Sequence, residues 1–198
     1  MRKIYVSFTS WKKRIHHVCD TLYFLSEQTL QPDKIYLTLS SDEFLNKEIP
    51  EEINYLTEVL NFEIIWVKEN TKAFKKLFPV LHKHKDEDCW IITIDDDVVY
   101  DKDFIKTIVD EAEKNFGKIV NPGICGNWIH GFAAIYHPTY FKDVKIITVE
   151  EMKELIEDDR YLNEVLKQEK IKCIDIGKHL TLMNYEFPLS KLYIKDGK

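Results

Sequence analysis

The sequence predicts an α/β fold, an open, mostly parallel sheet flanked by helices, and three observations predict it. Apolar, β-prone runs alternate with helix-period segments through the first hundred residues. The fourth such run, Trp90-Ile91-Ile92-Thr93-Ile94, reads as a buried strand. It ends abruptly in Asp95-Asp96-Asp97, which places three carboxylates at the C-terminal edge of a strand, where open α/β sheets bind ligands.

Lys3–Ser7 is the first predicted strand. Arg14–Glu27 is the first helix, with Ile15, Val18, Cys19, Leu22 and Leu25 at helical spacing, and Pro32 stops its continuation. Lys34–Leu39 is the second strand. Pro50 suits a first helical turn, Glu51 and Glu52 suit the positive end of the dipole, and Ile53, Leu56, Val59 and Leu60 face inward. Phe62–Val67 is the third strand, Ala73–Lys83 the third helix and Cys89–Ile94 the fourth strand. The second half is less regular. It holds a helix over Asp103–Asn115 ended by Gly117, a turn at Asn121-Pro122-Gly123 and a Gly- and aromatic-rich stretch over Gly126–Pro138 before or within a strand. One or two acidic helices follow in Val149–Leu166, then a short strand at Ile171–Ile176 and a frayed tail at Lys195–Lys198.

The net charge of −6 argues against a nucleic-acid binder, which needs a basic face. No apolar run approaches the ~18–20 residues of a membrane span. The opening MRKIYVSFTS enters a strand without a signal-peptide layout, so the expected location is cytoplasmic, or peripheral to the inner face of a membrane. Cys19, Cys89, Cys125 and Cys173 lie far apart with no Cys-x-x-Cys and read as reduced core thiols, although a pair of disulfides stays open.

Three adjacent carboxylates repel one another, and a cation at the strand edge offsets that repulsion. Alternating side chains put Asp95 and Asp97 on one face of the chain and Asp96 on the other. Two oxygens on one face suit Mg²⁺ or Mn²⁺, hard ions that also take phosphate oxygens. The plainer reading is an acidic turn capping the next helix. Lys72, Lys75 and Lys76 gather at a helix start, where cations oppose the dipole and a bound diphosphate would explain them. Each also fits a solvated basic face. The loop Ser7–Arg14 and the run Ser40-Ser41-Asp42 follow the first two strands at the same edge and suit a nucleotide or a helix cap. Glu157-Asp158-Asp159 is a second acidic cluster, which supplies a general base if one member is partly desolvated and is otherwise a solvated helix turn. His82 and His84 point different ways on a helix, while His130 and His179 are candidates for a third metal ligand or an acceptor contact.

Several pieces in order resemble the small bacterial GT-A glycosyltransferases, nucleotide-sugar-dependent proteins with an Asp-x-Asp after a central strand. VSFTSWKKRI is similar to an opening of the form SxTSxxxRI, and PDKIYLTLSSDEF continues it. KKLFPVL precedes IITIDDDVVY at the expected distance, GFAAIYHP resembles GGxLYPP, and EDDRYL resembles the late acidic motif ADDxWL. The resemblance implies one GT-A, Rossmann-like domain over residues 1–198, with 1–100 as the nucleotide-sugar-binding half and 101–198 as the acceptor-side half. It implies a metal-dependent, inverting, hexosyltransferase-type enzyme of bacterial surface glycan synthesis. The donor would be a nucleotide sugar, a UDP-sugar first, and the acceptor a glycan or lipid-linked glycan. Mn²⁺ or Mg²⁺ would be held by Asp95 and Asp97. Thr9, Arg14, Ser40, Asp42, Lys76, Asp95 and Asp96 would line the nucleotide pocket. Asp158 would be the acceptor base, with Asp159 beside it and the two roles interchangeable by a one-residue register shift. The chain departs from the pattern at Lys72-Ala73, where Gly-Pro is common, at Ala133 and Ala134, and at Arg160-Tyr161 in place of an apolar–Trp pair.

Other readings remain at this stage. One is a non-catalytic nucleotide-sugar-binding protein of the same fold. Another is a phosphatase of the haloacid-dehalogenase type, with Thr148 and Asp158–Asp159 as partners of Asp95; three strand–helix units before the motif weigh against it. A calcium loop fails because Tyr100 stands where an EF-hand needs Gly.

Overall fold

A computed structural model describes residues 2–121, 128–155, 158–177, 181–185 and 192–194. The first half follows the predicted order: β1 (Lys3–Thr9), α1 (Val18–Ser26), β2 (Lys34–Ser40), α2 (Glu51–Val59), β3 (Phe62–Val67), α3 (Phe78–Lys83) and β4 (Cys89–Ile94). Then come β5 (Val98–Tyr100), α4 (Phe104–Lys114), β6 (Lys118–Asn121), β7 (Ala133–Tyr136), α5 (Val149–Glu154), α6 (Asp158–Gln168), β8 (Lys172–Asp175), β9 (Thr181–Tyr185) and β10 (Leu192–Ile194).

Seven strands form the main sheet in the order β3-β2-β1-β4-β7-β6-β8. β1 pairs parallel with both β2 and β4, β2 with β3, and β6 with β8, whereas β7 runs antiparallel to β4 and β6. The expected open, mostly parallel sheet is therefore present. All six residues of β4 are buried, as a central strand covered on both faces requires, and each large apolar side chain so buried contributes about 1.5–3 kcal/mol. Trp90 is fully buried and donates its indole N–H to Glu113 at 2.8 Å.

Parallel pairing brings the C-terminal ends of β1, β2 and β4 to one edge, with Thr9 opposite Thr38 and Ser7 opposite Thr93. Because β7 is antiparallel, its first residue meets that same edge: Ala133 pairs with Ile94. The loop before β7 thus lands beside the aspartates. The chain leaves Asp95–Asp97 into β5, which belongs to a second sheet of order β10-β9-β5, so the acidic turn is anchored at both ends.

One predicted helix is broken, and four short strands are additional. The helix expected over Ala73–Lys83 is a 3-10 turn over Lys72–Lys76 followed by α3; Pro79 falls in the first turn of α3, where its missing N–H costs nothing. β5, β6, β9 and β10 were not predicted, being only three to five residues long. α4 ends as predicted, with Gly117 at φ +92° donating its N–H to the Tyr140 hydroxyl at 2.9 Å. Cys19, Cys89 and Cys173 are free thiols; Cys125, His179, Glu157 and the tail at 195–198 lie outside the described residues. No helix among the described residues is long and apolar enough to cross a membrane.

Candidate active site

β4 ends at Ile94, and Asp95, Asp96 and Asp97 turn away from the ladder. The strand alternation expected of the triad accordingly does not apply. Asp96 and Asp97 both reach Arg14: its Nη2 lies 2.7 Å from Asp96 Oδ1 and its Nη1 donates to Asp97. Ser10 donates its hydroxyl to Asp96 Oδ2 at 2.6 Å. Asp96 is 2% exposed, and its pKa is pushed up to about 6 by burial, against the opposing pull of Arg14 and Ser10. Burial raises Asp97 as well, with Arg14 opposing.

Asp95 points elsewhere. It pairs with Lys76 at 3.0 Å, and the same ammonium lies 3.3 Å from Asp158. Lys76 is buried; burial works against its charge, but Asp95, Asp158 and Asp159 outweigh that and hold its pKa above the ordinary lysine value. One cation therefore joins the turn after β4 to the start of α6. Asp159 accepts the Gly131 N–H at 2.8 Å, and His130 Nδ1 lies 4.0 Å from its other oxygen. Its pKa is pushed up to about 6 by burial and then by Asp158, with Lys76 opposing.

Gly131 lets Asp159 and Lys76 approach the backbone closely. A Cβ there would lie 2.7 Å from both Asp159 Oδ1 and Lys76 Cε, closer than non-bonded atoms approach. Tyr100 completes the frame: its hydroxyl accepts the Asp95 N–H at 2.9 Å and donates to the Phe132 carbonyl. Tyr100 and Gly131 were not singled out from the sequence, because a Tyr two residues into a short strand and a Gly in a Gly-rich stretch carry no local signal of a long-range contact.

Of the other predicted residues, Thr9 donates to the Thr38 carbonyl at 2.7 Å, and Ser40 is fully buried. Asp42 accepts the Asn70 N–H at 2.8 Å. Lys75 is buried beside them, 2.7 Å from Asn70 Oδ1 and 3.5 Å from Glu43, and burial lowers its pKa against the pull of Glu43. Lys72 donates to the carbonyls of Lys153 and Leu155 at the end of α5. Only Lys76 of the three lysines meets the aspartates. The Thr148 hydroxyl caps α5 in a capping box with Glu151, so it is committed away from Asp95. His84 is buried between Tyr36 and Glu87, at 2.8 and 2.9 Å. A cavity of about 680 Å³ lined by Leu81, Phe116 and His137 lies by Asp88, at the opposite end of β4 from the aspartates.

Among the described residues, no group of three or more His, Cys, Asp or Glu side chains is arranged as a metal cluster. The donor chemistry nonetheless fits a hard divalent ion. Five carboxylates, Asp95, Asp96, Asp97, Asp158 and Asp159, surround two cations, Arg14 and Lys76, and the side chains of Asp95 and Asp97 remain 34% and 27% exposed.

No protein-family model matches the chain, and no curated protein matches it in sequence. Solved structures do match in shape. The mannosyltransferase PcManGT from Pyrobaculum calidifontis, in complex with GDP-Man and Mn²⁺, superposes with a TM-score of 0.64 over 88% of this chain at 14% identity. Residues 1–349 of S. aureus TarS in complex with UDP superpose with a TM-score of 0.59 over 89% at 12% identity. The chain has a GT-A fold. It spans 55% of the PcManGT chain and 59% of that TarS chain. In the GT-A frame of this chain, the edge shared by β1, β2, β4 and the start of β7 carries Arg14, Lys76 and Asp95–Asp97, with Asp158 and Asp159 of α6 brought against it.

Proposed function

We propose that this GT-A protein is a metal-dependent glycosyltransferase that moves a sugar from a nucleotide-diphosphate sugar to a hydroxyl acceptor. The observation that carries the reading is Lys76, which touches a carboxylate of the turn after β4 and a carboxylate of α6 at once. Residues 1–100 would bind the donor and residues 101–198 present the acceptor. The GDP-Man bound to PcManGT and the UDP bound to TarS support a donor of that class.

Breaking a sugar–phosphate bond puts negative charge on the departing diphosphate and positive character on the sugar. Lys76 is buried, charged and held without freedom to reorganise, so it stabilises the first charge at little cost during reaction. Arg14 sits on Asp96 and Asp97 with its side chain 26% exposed and would meet phosphate oxygens from its open side. Mn²⁺ or Mg²⁺ held by Asp95 and Asp97 would supply further neutralisation of the diphosphate. Ser40, Asp42, Thr9 and Lys75 form the adjoining polar wall for the nucleoside.

The acceptor hydroxyl must lose a proton as it attacks. Asp158 is engaged by Lys76 and 10% exposed, whereas Asp159 is 28% exposed and has the raised pKa a base at neutral pH needs. We therefore assign the base to Asp159 and the positioning of Lys76 to Asp158, the interchange of roles that the sequence left open. A direct attack assisted by such a base inverts the anomeric centre. Thermal-shift titration with UDP, GDP and their sugar conjugates, with and without Mn²⁺, tests the donor reading. The expected result is stabilisation that grows with Mn²⁺ and disappears in Asp97→Asn; no stabilisation by any nucleotide contradicts it.

A further inference from the structure

α6 carries the two acidic residues at its start and a polar stripe along one face. Arg160, Asn163, Glu164 and Lys167 recur at three- and four-residue spacing and so share that face. The face lines a cleft of about 720 Å³ together with Trp128, Lys170, Lys172 and Cys173. The cleft is tied to the site already described. Asn163 accepts the Ile129 N–H at 2.9 Å, and its amide donates to the Ile129 carbonyl at 3.0 Å and to the Asp159 carbonyl at 2.7 Å. Two residues on, Gly131 holds Asp159. At 1.5 Å per residue, Lys167 lies about 12 Å along the helix from Asp159.

The cleft gathers positive charge on an acidic protein. The protein carries a net charge of −6, yet four cations line the cleft against Glu164, which pairs with Arg160 at 3.2 Å. Among the described residues, no carboxylate pairs with Lys167, Lys170 or Lys172. Lys170 ends α6 at φ +60°, a left-handed conformation that glycine adopts freely and lysine at a cost of about 1–2 kcal/mol. Lys172 stands beside Lys118 in the β6–β8 pair, which sets like charges together. Trp128 is 43% exposed, a large flat apolar surface left to solvent at the mouth.

We propose that this cleft is the acceptor-binding site and that it takes an acidic carbohydrate, one bearing phosphodiester or carboxylate groups. The face of a sugar ring lies on Trp128, and the anionic groups sit among Lys167, Lys170, Lys172 and Arg160, leading a hydroxyl toward Asp159. The proposal rests on the glycosyltransferase reading above. Lysine stems line the apolar floor while their ammonium groups stay in water, so the binding is sensitive to salt.

Calorimetric titration at low salt with three probes of similar length tests it: a glycerol-phosphate oligomer, an oligogalacturonate and neutral maltohexaose. We expect at least one acidic probe to bind about tenfold or more tightly than maltohexaose, and to weaken as salt is raised. The exposed pair Lys167→Glu with Lys170→Glu should abolish that preference. Trp128→Ala should weaken binding by about fivefold, while Lys106→Glu with Lys114→Glu, on α4, should change it less than twofold. Nucleoside diphosphate binding in all these variants should equal that of the parent, because the donor groups are elsewhere. If neither acidic probe outcompetes maltohexaose, or if the α4 reversals weaken binding as much as the cleft reversals, the acceptor proposal is overturned while nucleotide binding leaves the enzyme reading standing. Absence of nucleotide binding in the parent overturns that reading instead.

Discussion

Asp96 and Asp159 have been pushed to the same pKa, about 6, and in both cases burial is the leading cause, yet their surroundings differ. Asp96 has a side chain 1% exposed, with Ser10 and Arg14 both committed to it. Asp159 has a side chain 28% exposed, held at one oxygen by a single backbone N–H. A raised pKa marks a sealed, supporting carboxylate in one place and a solvent-accessible one in the other. Exposure and partners separate the two. The contrast extends to the two parts of the site: the turn after β4 is fixed by a parallel ladder and anchored in two sheets, and the start of α6 by Lys76 and Gly131.

The largest effect should come from the acceptor side. Asp159→Asn is expected to lower sugar transfer by roughly 10²–10⁴ while leaving nucleotide affinity within about twofold, since a base acts only on the reaction step. In the parent, transfer should rise as pH rises through about 6, because Asp159 must be ionised to accept a proton. The groups facing it are Asp158, Lys76, Asp95 and His130. The variant should lose this acid limb. A carboxyl whose folded pKa lies above its ordinary 3.8 favours folding below that value, so stability from Asp159 is lost as pH rises from 3.8 through about 6. Rate and stability therefore move in opposite directions across one window, which a pH series of turnover and urea midpoints will show.

Next in size is the link between the halves. Lys76→Met leaves Asp95 and Asp158 without their cation and should cost about 3 kcal/mol in urea unfolding, the low end for a broken buried pair because Asp95 is one-third exposed. Diphosphate affinity should fall with it. Smaller again is Gly131→Ala. Its methyl must displace the end of Lys76 or the Asp159 carboxylate, an overpacking expected to cost about 1–3 kcal/mol. Turnover should drop more than nucleotide affinity, and an unchanged kcat would mean that Asp159 tolerates being moved.

The same contrast explains what was legible in the sequence. β1 to β4 announced themselves because each is a buried parallel strand with a dense apolar run, and their common edge follows from the topology alone. The acidic residues of both clusters were visible as unusual runs. Their arrangement was not. The expectation that Asp95 and Asp97 share a face assumed that the strand continues, whereas the ladder stops at Ile94 once carboxylates can no longer be buried on both faces. Arg14 was visible as a loop cation but not as the partner of Asp96 and Asp97, 82 and 83 residues away. Gly131 and Tyr100 act through contacts with distant backbone, and nothing in their immediate neighbours marks that.

The central claim is that one lysine couples the donor-side and acceptor-side carboxylates, and a comparison of unfolding free energies in two backgrounds tests it most directly. With Lys76 present, Asp95→Asn and Asp158→Asn should each destabilise the protein by about 1–2 kcal/mol. In the Lys76→Met background the same substitutions should cost nothing or stabilise, since they then relieve repulsion between carboxylates that no cation holds. Equal costs in both backgrounds would contradict the account.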